Sequence, residues 1–230
     1  MKNSIKRLIS RPIKRAGVAL FNRLAQWSEA DLPEFATQPK NLQILMPRTI
    51  SRPQRIYIGD DVWLGPGALL APATNFPSRP LFPEGMSADF RQVFDPKITI
   101  GNRVTSTGGL ILGAHQEITI EDDVMFASNV MISDALHGYE TANVPYKYQP
   151  MGHIAPIVIK RGCWVGQNVV VLPGVTIGEH TIIGANSVVT KSIPARSIAY
   201  GVPARVVKSW DEAAHDWIGA TQTSVATRDR

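Results

Sequence analysis

The sequence is poor in cysteine, in aromatic residues and in long apolar runs. One cysteine stands among 230 residues, which excludes an intramolecular disulfide framework and favours the cytosol. No apolar run approaches the roughly 20 residues that span a bilayer. The apolar stretch at residues 16–21 is too short for a secretory signal, so we expect no export.

What the chain has in quantity is glycine and proline, 18 and 17 residues, beside an ordinary apolar content of 44%. These residues favour a fold of many short strands and tight corners. A length of 230 residues predicts one elongated domain with a small appendage. The formal charge is +5, and residues 1–27 hold seven Lys or Arg and no acid.

A branched aliphatic residue recurs every six positions in the C-terminal half. The repeating residues are Ile159, Val165, Val171, Ile177, Ile183 and Val189. Four positions after each comes a second inward candidate: Cys163, Val169, Val175, Thr181, Ser187 and Ile193. A period of six fits neither the 3.6 of a helix nor the alternation of a plain strand, so it predicts a solenoid of the hexapeptide β-helix type.

The period divides the chain into three parts. Residues 1–50 are predicted to be a basic N-terminal extension, helical and then wrapping, and residues 51–208 an all-β helix of about five coils. Two stretches without the period, 74–97 and 138–156, are predicted to be protruding loops. The C-terminal part, 209–230, is predicted to start as a short helix from Ser209 to Ile218 and to end in a polar tail.

The basic N-terminal segment leaves two interpretations open. Ile13, Leu20, Leu24 and Trp27 fall on one side of a helix that starts after Pro12. Such a basic amphipathic helix either lies on an anionic membrane surface or packs on the protein's own prism. We therefore expect a cytoplasmic protein, with contact to the inner face of a membrane as the open alternative.

Three ordered motifs resemble the hexapeptide-repeat acyltransferases. They read W-V-G-Q-N-V-V-V-L-P-G-V-T-I-G (164–178), I-G-A-N-S-V-V-T-K-S-I-P (183–194) and G-V-P-A-R-V-V (201–207). The set is most similar to the galactoside, maltose and surface-polysaccharide O-acetyltransferases. The resemblance implies a left-handed parallel β-helix and a homotrimer, with acetyl-CoA as acyl donor in the groove between two prisms.

The candidate base is His137, in an outward position at the end of its hexad and just before the second loop. Transfer of an acyl group from a thioester to a hydroxyl needs a base, and an imidazole exchanges protons near neutral pH. The resemblance implies that His137 is this catalytic base. Asp134, three residues earlier, orients His137 or binds the acceptor, or else it only shapes the corner.

Other residues are candidates for acceptor and cofactor binding. Predicted acceptor contacts are Thr107, His115, Tyr139 and Trp164, whose exposed ring suits a sugar or pantetheine. The resemblance implies that the acetyl-CoA groove is lined by Trp164, Gln167, Ala185, Thr190 and Lys191, and Arg205 and Lys208 are candidates for the CoA phosphates. The backbone at Gln167 is a candidate oxyanion donor. Cys163 occupies an inward slot, so burial is favoured over an acyl-cysteine intermediate.

The sequence therefore predicts an O-acetyltransferase acting on a sugar hydroxyl, in a polysaccharide or its lipid-linked precursor, with direct transfer and without a metal or nucleic acid. Three alternatives remain open. One is an N-acetyltransferase of an amino sugar nucleotide, which would share the base and the donor. Another is a metal site like that of the γ-class carbonic anhydrases, built from His115, His137 and His153. The last is a non-catalytic scaffold.

Overall fold

The computed structural model describes residues 32–77 and 91–219, and these residues form a stack of six triangular coils followed by a hairpin. The first coil holds β1 (Gln43–Ile44), β2 (Arg48–Ile50), a 3-10 turn (Pro53–Arg55) and β3 (Ile56–Ile58). The second holds β4 (Trp63–Leu64), β5 (Ala68–Pro72), β6 (Asn75–Phe76), β7 (Gln92–Val93) and β8 (Lys97–Ile100). The third holds β9 (Thr105–Ser106), β10 (Ile111–Ala114) and β11 (Glu117–Ile120).

The last three coils continue the same order. The fourth holds β12 (Met125–Phe126), β13 (Met131–Ser133), β14 (Ala135–His137), a 3-10 turn (Tyr146–Tyr148), β15 (Met151–Ile154) and β16 (Ile157–Ile159). The fifth holds β17 (Trp164–Val165), β18 (Val170–Val171) and β19 (Thr176–Ile177). The sixth holds β20 (Ile182–Ile183), β21 (Val188–Val189) and a bridge from Ile193 to Ile177. The chain then forms β22 (Ser197–Gly201), β23 (Ala204–Asp211) and β24 (Asp216–Gly219).

Three parallel sheets make the sides of the prism. The first sheet has the strand order β1-β4-β9-β12-β17-β20-β22, the second β2-β5-β10-β13-β18-β21, and the third β3-β8-β11-β16-β19. Each strand pairs with the equivalent strand of the next coil, so successive coils satisfy one another's backbone hydrogen bonds. We call the three edges of the prism the 1–2, 2–3 and 3–1 edges, after the sheets they join.

The predicted inward slots fill the interior. All twelve residues of the two predicted series between Ile159 and Ile193 are buried, none more than 6% exposed. The edges use left-handed backbone instead. At the 1–2 edge the turn residue is Gly67, Gly109, Asn129, Asn168 or Asn186, each with a positive φ. Glycine and asparagine tolerate this conformation better than branched residues do, which explains why these types recur at the corner.

The prism begins earlier than the predicted boundary at residue 51. β1 pairs with β4 and β2 pairs with β5, so the first coil starts at Gln43 inside the predicted N-terminal extension. Ile44, Ile50 and Ile56 already follow the six-residue period, and Ile44 and Ile56 are fully buried. Six coils result where about five were predicted. The predicted N-terminal helix lies outside the described residues.

The predicted C-terminal helix from Ser209 to Ile218 is wrong. β23 pairs antiparallel with β22 and with β24, which extends the first sheet by a hairpin. The carboxylate of Asp211 accepts hydrogen bonds from two turn amides, those of Ala213 and Ala214, both 2.8 Å away. The open edge of β22 thus templates a strand where local propensity suggested a helix.

Candidate active site

Both predicted loops leave the prism at the 2–3 edge. The first interrupts the second coil, and its base is the antiparallel ribbon β6–β7. The second interrupts the fourth coil, and its base is the antiparallel ribbon β14–β15. The third coil, between them, turns the same edge tightly at His115 and Gln116. The two ribbons therefore leave the same edge of the prism, one from the coil before the third and the other from the coil after it.

His137 ends β14 and faces outward on the second ribbon. Its side chain is exposed, and its Cα is paired across the ribbon with that of Met151. The ring of Phe76, from the first ribbon, meets the imidazole edge to face, with centroids 5.3 Å apart and planes at 69°. The candidate base is thus reachable from solvent and held against an aromatic side chain of the other loop.

Asp134 is fully buried and serves the neighbouring coil. Its Oδ1 accepts the backbone N–H of His115 at 2.6 Å, and its Oδ2 accepts that of Gln116 at 2.7 Å. These two bonds hold the tight corner of the third coil. Of the roles considered for Asp134, they support the shaping of this corner. No hydrogen bond joins Asp134 to His137 among the described residues.

His115 lies beneath the two ribbons rather than at the surface. Its Nδ1 is 3.7 Å from Oδ1 of Asp134, and that nitrogen is buried without a hydrogen-bond partner in the described structure. The ring of Phe94 covers it edge to face, with centroids 5.1 Å apart. This placement gives His115 little access to an acceptor, and 15% of its side chain is exposed.

The other predicted acceptor residues lie on different parts of the prism. Tyr139 follows His137 and is 71% exposed. Thr107 is exposed at the 1–2 edge, where its hydroxyl lies 2.9 Å from that of Ser128. Trp164 stands outward on the first sheet, 45% exposed. Of the four, only His115 and Tyr139 share the 2–3 edge with His137.

The predicted cofactor residues are also exposed on more than one edge. Gln167 and Ala185 stand at the 1–2 edge of the fifth and sixth coils. Thr190 and Lys191 stand at the 2–3 edge of the sixth coil. Arg205 and Lys208 lie on β23, where both are exposed. One chain therefore does not gather these side chains and His137 into one pocket.

Cys163 is buried in the prism interior, as its inward slot predicts. It is 1% exposed, and its thiol donates to the carbonyl oxygen of Gly178 at 3.0 Å. Burial raises the pKa of the Cys163 thiol to about 11. A neutral, enclosed thiol is a poor nucleophile, so the geometry opposes an acyl-cysteine.

The described residues offer neither a metal-binding cluster nor a membrane-spanning helix. In the ranges 32–77 and 91–219, no group of three or more His, Cys, Asp or Glu side chains is arranged to hold a metal ion. Over the same ranges, no helix has the length and the apolar character needed to cross a membrane.

Sequence reasoning missed the contact between the two ribbons. The side-chain amide of Gln92 donates to the carbonyl oxygen of Met151 at 3.0 Å, and its Oε1 accepts the N–H of Met151 at 2.6 Å. The sequence offers one signal, the aromatic residues Phe76 and Phe94 within the first predicted loop, and these name no partner. Gln92 itself carries no signal in the sequence.

The chain is similar in sequence to known hexapeptide-repeat transferases. Residues 156–191 match the family described as bacterial transferase hexapeptide (six repeats). The "Putative lipopolysaccharide biosynthesis O-acetyl transferase" of Escherichia coli K12 is 37% identical over 109 residues, covering 44% of this chain and 55% of that protein. The galactoside O-acetyltransferase of the same organism is 37% identical over 117 residues, covering 50% and 55%. The chain thus spans about half the length of the curated relatives it matches.

A solved structure extends the likeness over more of the fold. A point mutant of an N-acyltransferase from Bacillus cereus, in complex with dTDP and coenzyme A, superposes with a TM-score of 0.61 at 22% identity. The match covers 78% of this chain and 87% of that one. Together the comparisons confirm the resemblance to the hexapeptide-repeat acyltransferases and the left-handed parallel β-helix.

Proposed function

We propose that the protein is an acetyl-CoA-dependent O-acetyltransferase that acetylates a sugar hydroxyl, in a cell-surface polysaccharide or its lipid-linked precursor. The observation that carries the proposal is His137, an exposed imidazole at the edge of a hexapeptide prism whose curated relatives are named as O-acetyl transferases. One of those names refers to lipopolysaccharide biosynthesis, which supports a polysaccharide acceptor.

In the proposed reaction His137 acts as general base. Its imidazole takes the proton of the acceptor hydroxyl while the oxygen attacks the thioester carbonyl of acetyl-CoA. The tetrahedral intermediate collapses to the acetyl ester and the CoA thiolate, which receives the proton from the imidazolium. The backbone N–H at Gln167 stabilises the oxyanion. Asp134 shapes the corner beneath the ribbons, since its carboxylate accepts the N–H groups of His115 and Gln116.

The second loop supplies aromatic surface for the acceptor. Tyr139 and Tyr146 are 71% and 57% exposed, and both belong to the loop that His137 introduces. Exposed tyrosine rings offer an apolar face and a hydroxyl to a sugar. This surface supports a carbohydrate acceptor beside the base and does not select one sugar.

The proposed donor site is the groove lined by Trp164, Gln167, Ala185, Thr190 and Lys191, with Arg205 and Lys208 toward the CoA phosphates. All seven side chains are exposed, as groove residues must be. Thr190 and Lys191 share the 2–3 edge with His137, whereas Gln167 and Ala185 stand at the 1–2 edge, so a complete site needs a second copy of the chain. The scattering therefore supports an active site between subunits.

The outer faces of the prism support a homotrimer. The first sheet turns Trp63, Thr105, Met125, Trp164, Ile182 and Ile198 outward in neighbouring strands. The second sheet turns out Leu69, Ile111, Met131, Val170 and Val188. The third sheet turns out Tyr57, Thr99, Thr119, Val158 and Thr176. A closed ring joins two different surfaces of each subunit, and two mainly apolar faces beside a threonine-rich one fit that requirement.

The test is the substitution His137→Ala in the full chain, assayed with labelled acetyl-CoA and a panel of glycans. We expect kcat to fall by at least about a hundredfold, because general base catalysis contributes about 10²–10⁴. The matched comparison is His153→Ala, an exposed histidine on β15 of the same ribbon.

Three results would change the proposal. Near wild-type activity of His137→Ala, or a comparable loss in His153→Ala alone, would remove His137 from the role of base. Acetylation of amino sugars but not of hydroxyl acceptors would favour the N-acetyltransferase alternative. Binding of acetyl-CoA without transfer to any acceptor would favour a scaffold.

A further inference from the structure

The two loop ribbons contact each other through one cross-strand pair of residues from each ribbon. Phe76 and Gln92 are cross-strand partners in the first ribbon, and His137 and Met151 are cross-strand partners in the second. Phe76 contacts the ring of His137, while Gln92 bonds the backbone of Met151. The pair on one ribbon therefore docks on the pair on the other.

We propose that Phe76 and Gln92 are positioning residues for His137, an inference that rests on the proposed role of His137 as base. The imidazole is exposed, so few neighbours restrain its rotation about the Cβ–Cγ bond, a torsion with broad minima. An aromatic ring at 5.3 Å and 69° favours one orientation of the imidazole plane over others. Phe76 thus sets the direction in which the ring nitrogens point.

Gln92 fixes the position of β15, the strand that pairs with β14 opposite His137. Its carboxamide satisfies both the N–H and the C=O of Met151, and two bonds to one residue define the separation and the angle of the ribbons. Met151 is only 8% exposed, so water competes little for these groups. The ribbon is further held by the N–H of Gly138 bonding the oxygen of Pro150 at 2.8 Å. His137 is therefore carried by a strand whose partner is anchored to the first loop.

The first loop then contributes to catalysis without touching the reacting atoms. A general base must lie within hydrogen-bond reach of the hydroxyl proton, and a misplacement of about 1 Å costs up to roughly a hundredfold in rate. Loss of the contact between the ribbons is expected to displace His137 while leaving the acetyl-CoA groove intact, since none of the proposed groove residues belongs to either ribbon.

The experiment compares four variants of the full chain. Gln92→Met keeps the length of the side chain and removes both hydrogen bonds, and Phe76→Leu removes the ring contact. Phe76→Tyr is the conservative variant that keeps the ring. Val93→Ala is the matched control, since Val93 neighbours Gln92 on β7 and is 75% exposed.

We expect Gln92→Met and Phe76→Leu to lower kcat by about tenfold to a hundredfold with an unchanged KM for acetyl-CoA. Phe76→Tyr and Val93→Ala should keep the wild-type kcat. The imidazole ¹H–¹³C signals of His137, assigned with His137→Ala, should shift in the first two variants only. Thermal unfolding midpoints identify any variant whose loss of activity reflects a loss of folded protein.

An unchanged kcat in both Gln92→Met and Phe76→Leu would overturn the proposal, as would unchanged His137 signals. A fall in kcat matched by a fall in folded protein would show a purely structural contact and would overturn it as well. Failure of the proposed function is distinguishable, because it leaves the wild type without transferase activity while the His137 signals still report whether the ribbons orient the ring.

Discussion

At the scale of single residues, Cys163 distinguishes direct acetyl transfer from transfer through an acyl-cysteine. Its thiol is enclosed in the prism and donates to Gly178. Under direct transfer, Cys163→Ala should leave kcat unchanged, and intact-mass measurement after incubation with acetyl-CoA should find no acetyl group on the protein. An acetylated Cys163, together with ping-pong kinetics, would contradict direct transfer.

The raised pKa of the Cys163 thiol predicts that the folded protein loses stability at alkaline pH. Burial raises its pKa to about 11 in the folded chain, above its value of about 8.5 in the unfolded chain. Below about pH 8.5 both states keep the proton, so the contribution is constant. As pH rises toward 11 the unfolded state releases its proton first, and the free energy of unfolding falls by up to about 1.4 kcal/mol per pH unit. Cys163→Ala should lack this part of the pH dependence in urea unfolding, and an identical slope in both proteins would contradict it.

At the scale of the structural element, the 1–2 edge carries a ladder of asparagines in left-handed backbone. Asn168 has φ 57°, its Nδ2 donates to Asn186 at 2.9 Å, and its Oδ1 accepts from Asn129 at 3.3 Å. Asn168→Ala should lower the free energy of unfolding by about 1–2 kcal/mol, because alanine resists the left-handed conformation.

Asn168→Gly is the control that separates backbone conformation from the side-chain ladder. Glycine adopts positive φ without steric cost but makes neither ladder bond. We therefore expect a smaller loss of stability than for alanine in the same urea titration. A loss as large as that of Asn168→Ala would show that the ladder, and not the backbone, holds this edge.

The elements that the sequence predicts well are those governed by the period alone. Every slot from Ile159 to Ile193 is filled as expected, because each residue needs only its own coil and the two beside it. The third coil follows the period less clearly, because Ser106, 1% exposed, takes a slot that usually holds a branched residue. The first coil is harder to predict because Pro47 interrupts it, although Ile44 and Ile56 keep the period.

Contacts that join distant segments could not be predicted from the sequence. Gln92 and Met151 are 59 positions apart, and nothing in either neighbourhood marks them as partners. The hairpin at the C-terminus likewise depends on the open edge of β22, which no local pattern around Trp210 and Trp217 reveals. His137 was predictable as a candidate because its motif is local, whereas its surroundings are assembled from two loops.

At the scale of the whole molecule, the three faces of the prism differ in what they offer a partner. The outward rows of the first and second sheets are mainly apolar and meet at the 1–2 edge, while the third sheet presents mainly threonine. Exposed apolar rows of this length mark contact surfaces. A ring of subunits that buries these two faces leaves the third sheet in water, and it places the 1–2 edge of each chain beside its neighbour.

This proposed arrangement predicts that the same substitution has a large effect on the second sheet and no effect on the third. Val170 and Val158 are both half-buried valines, one outward on the second sheet and the other outward on the third. Val170→Asp should dissociate the proposed homotrimer and abolish the proposed transfer, because a carboxylate placed in the proposed apolar interface would lose its hydration without a partner. Val158→Asp should leave both unchanged. Analytical ultracentrifugation measures the assembly, and dissociation by Val158→Asp but not by Val170→Asp would place the contact on the third sheet instead.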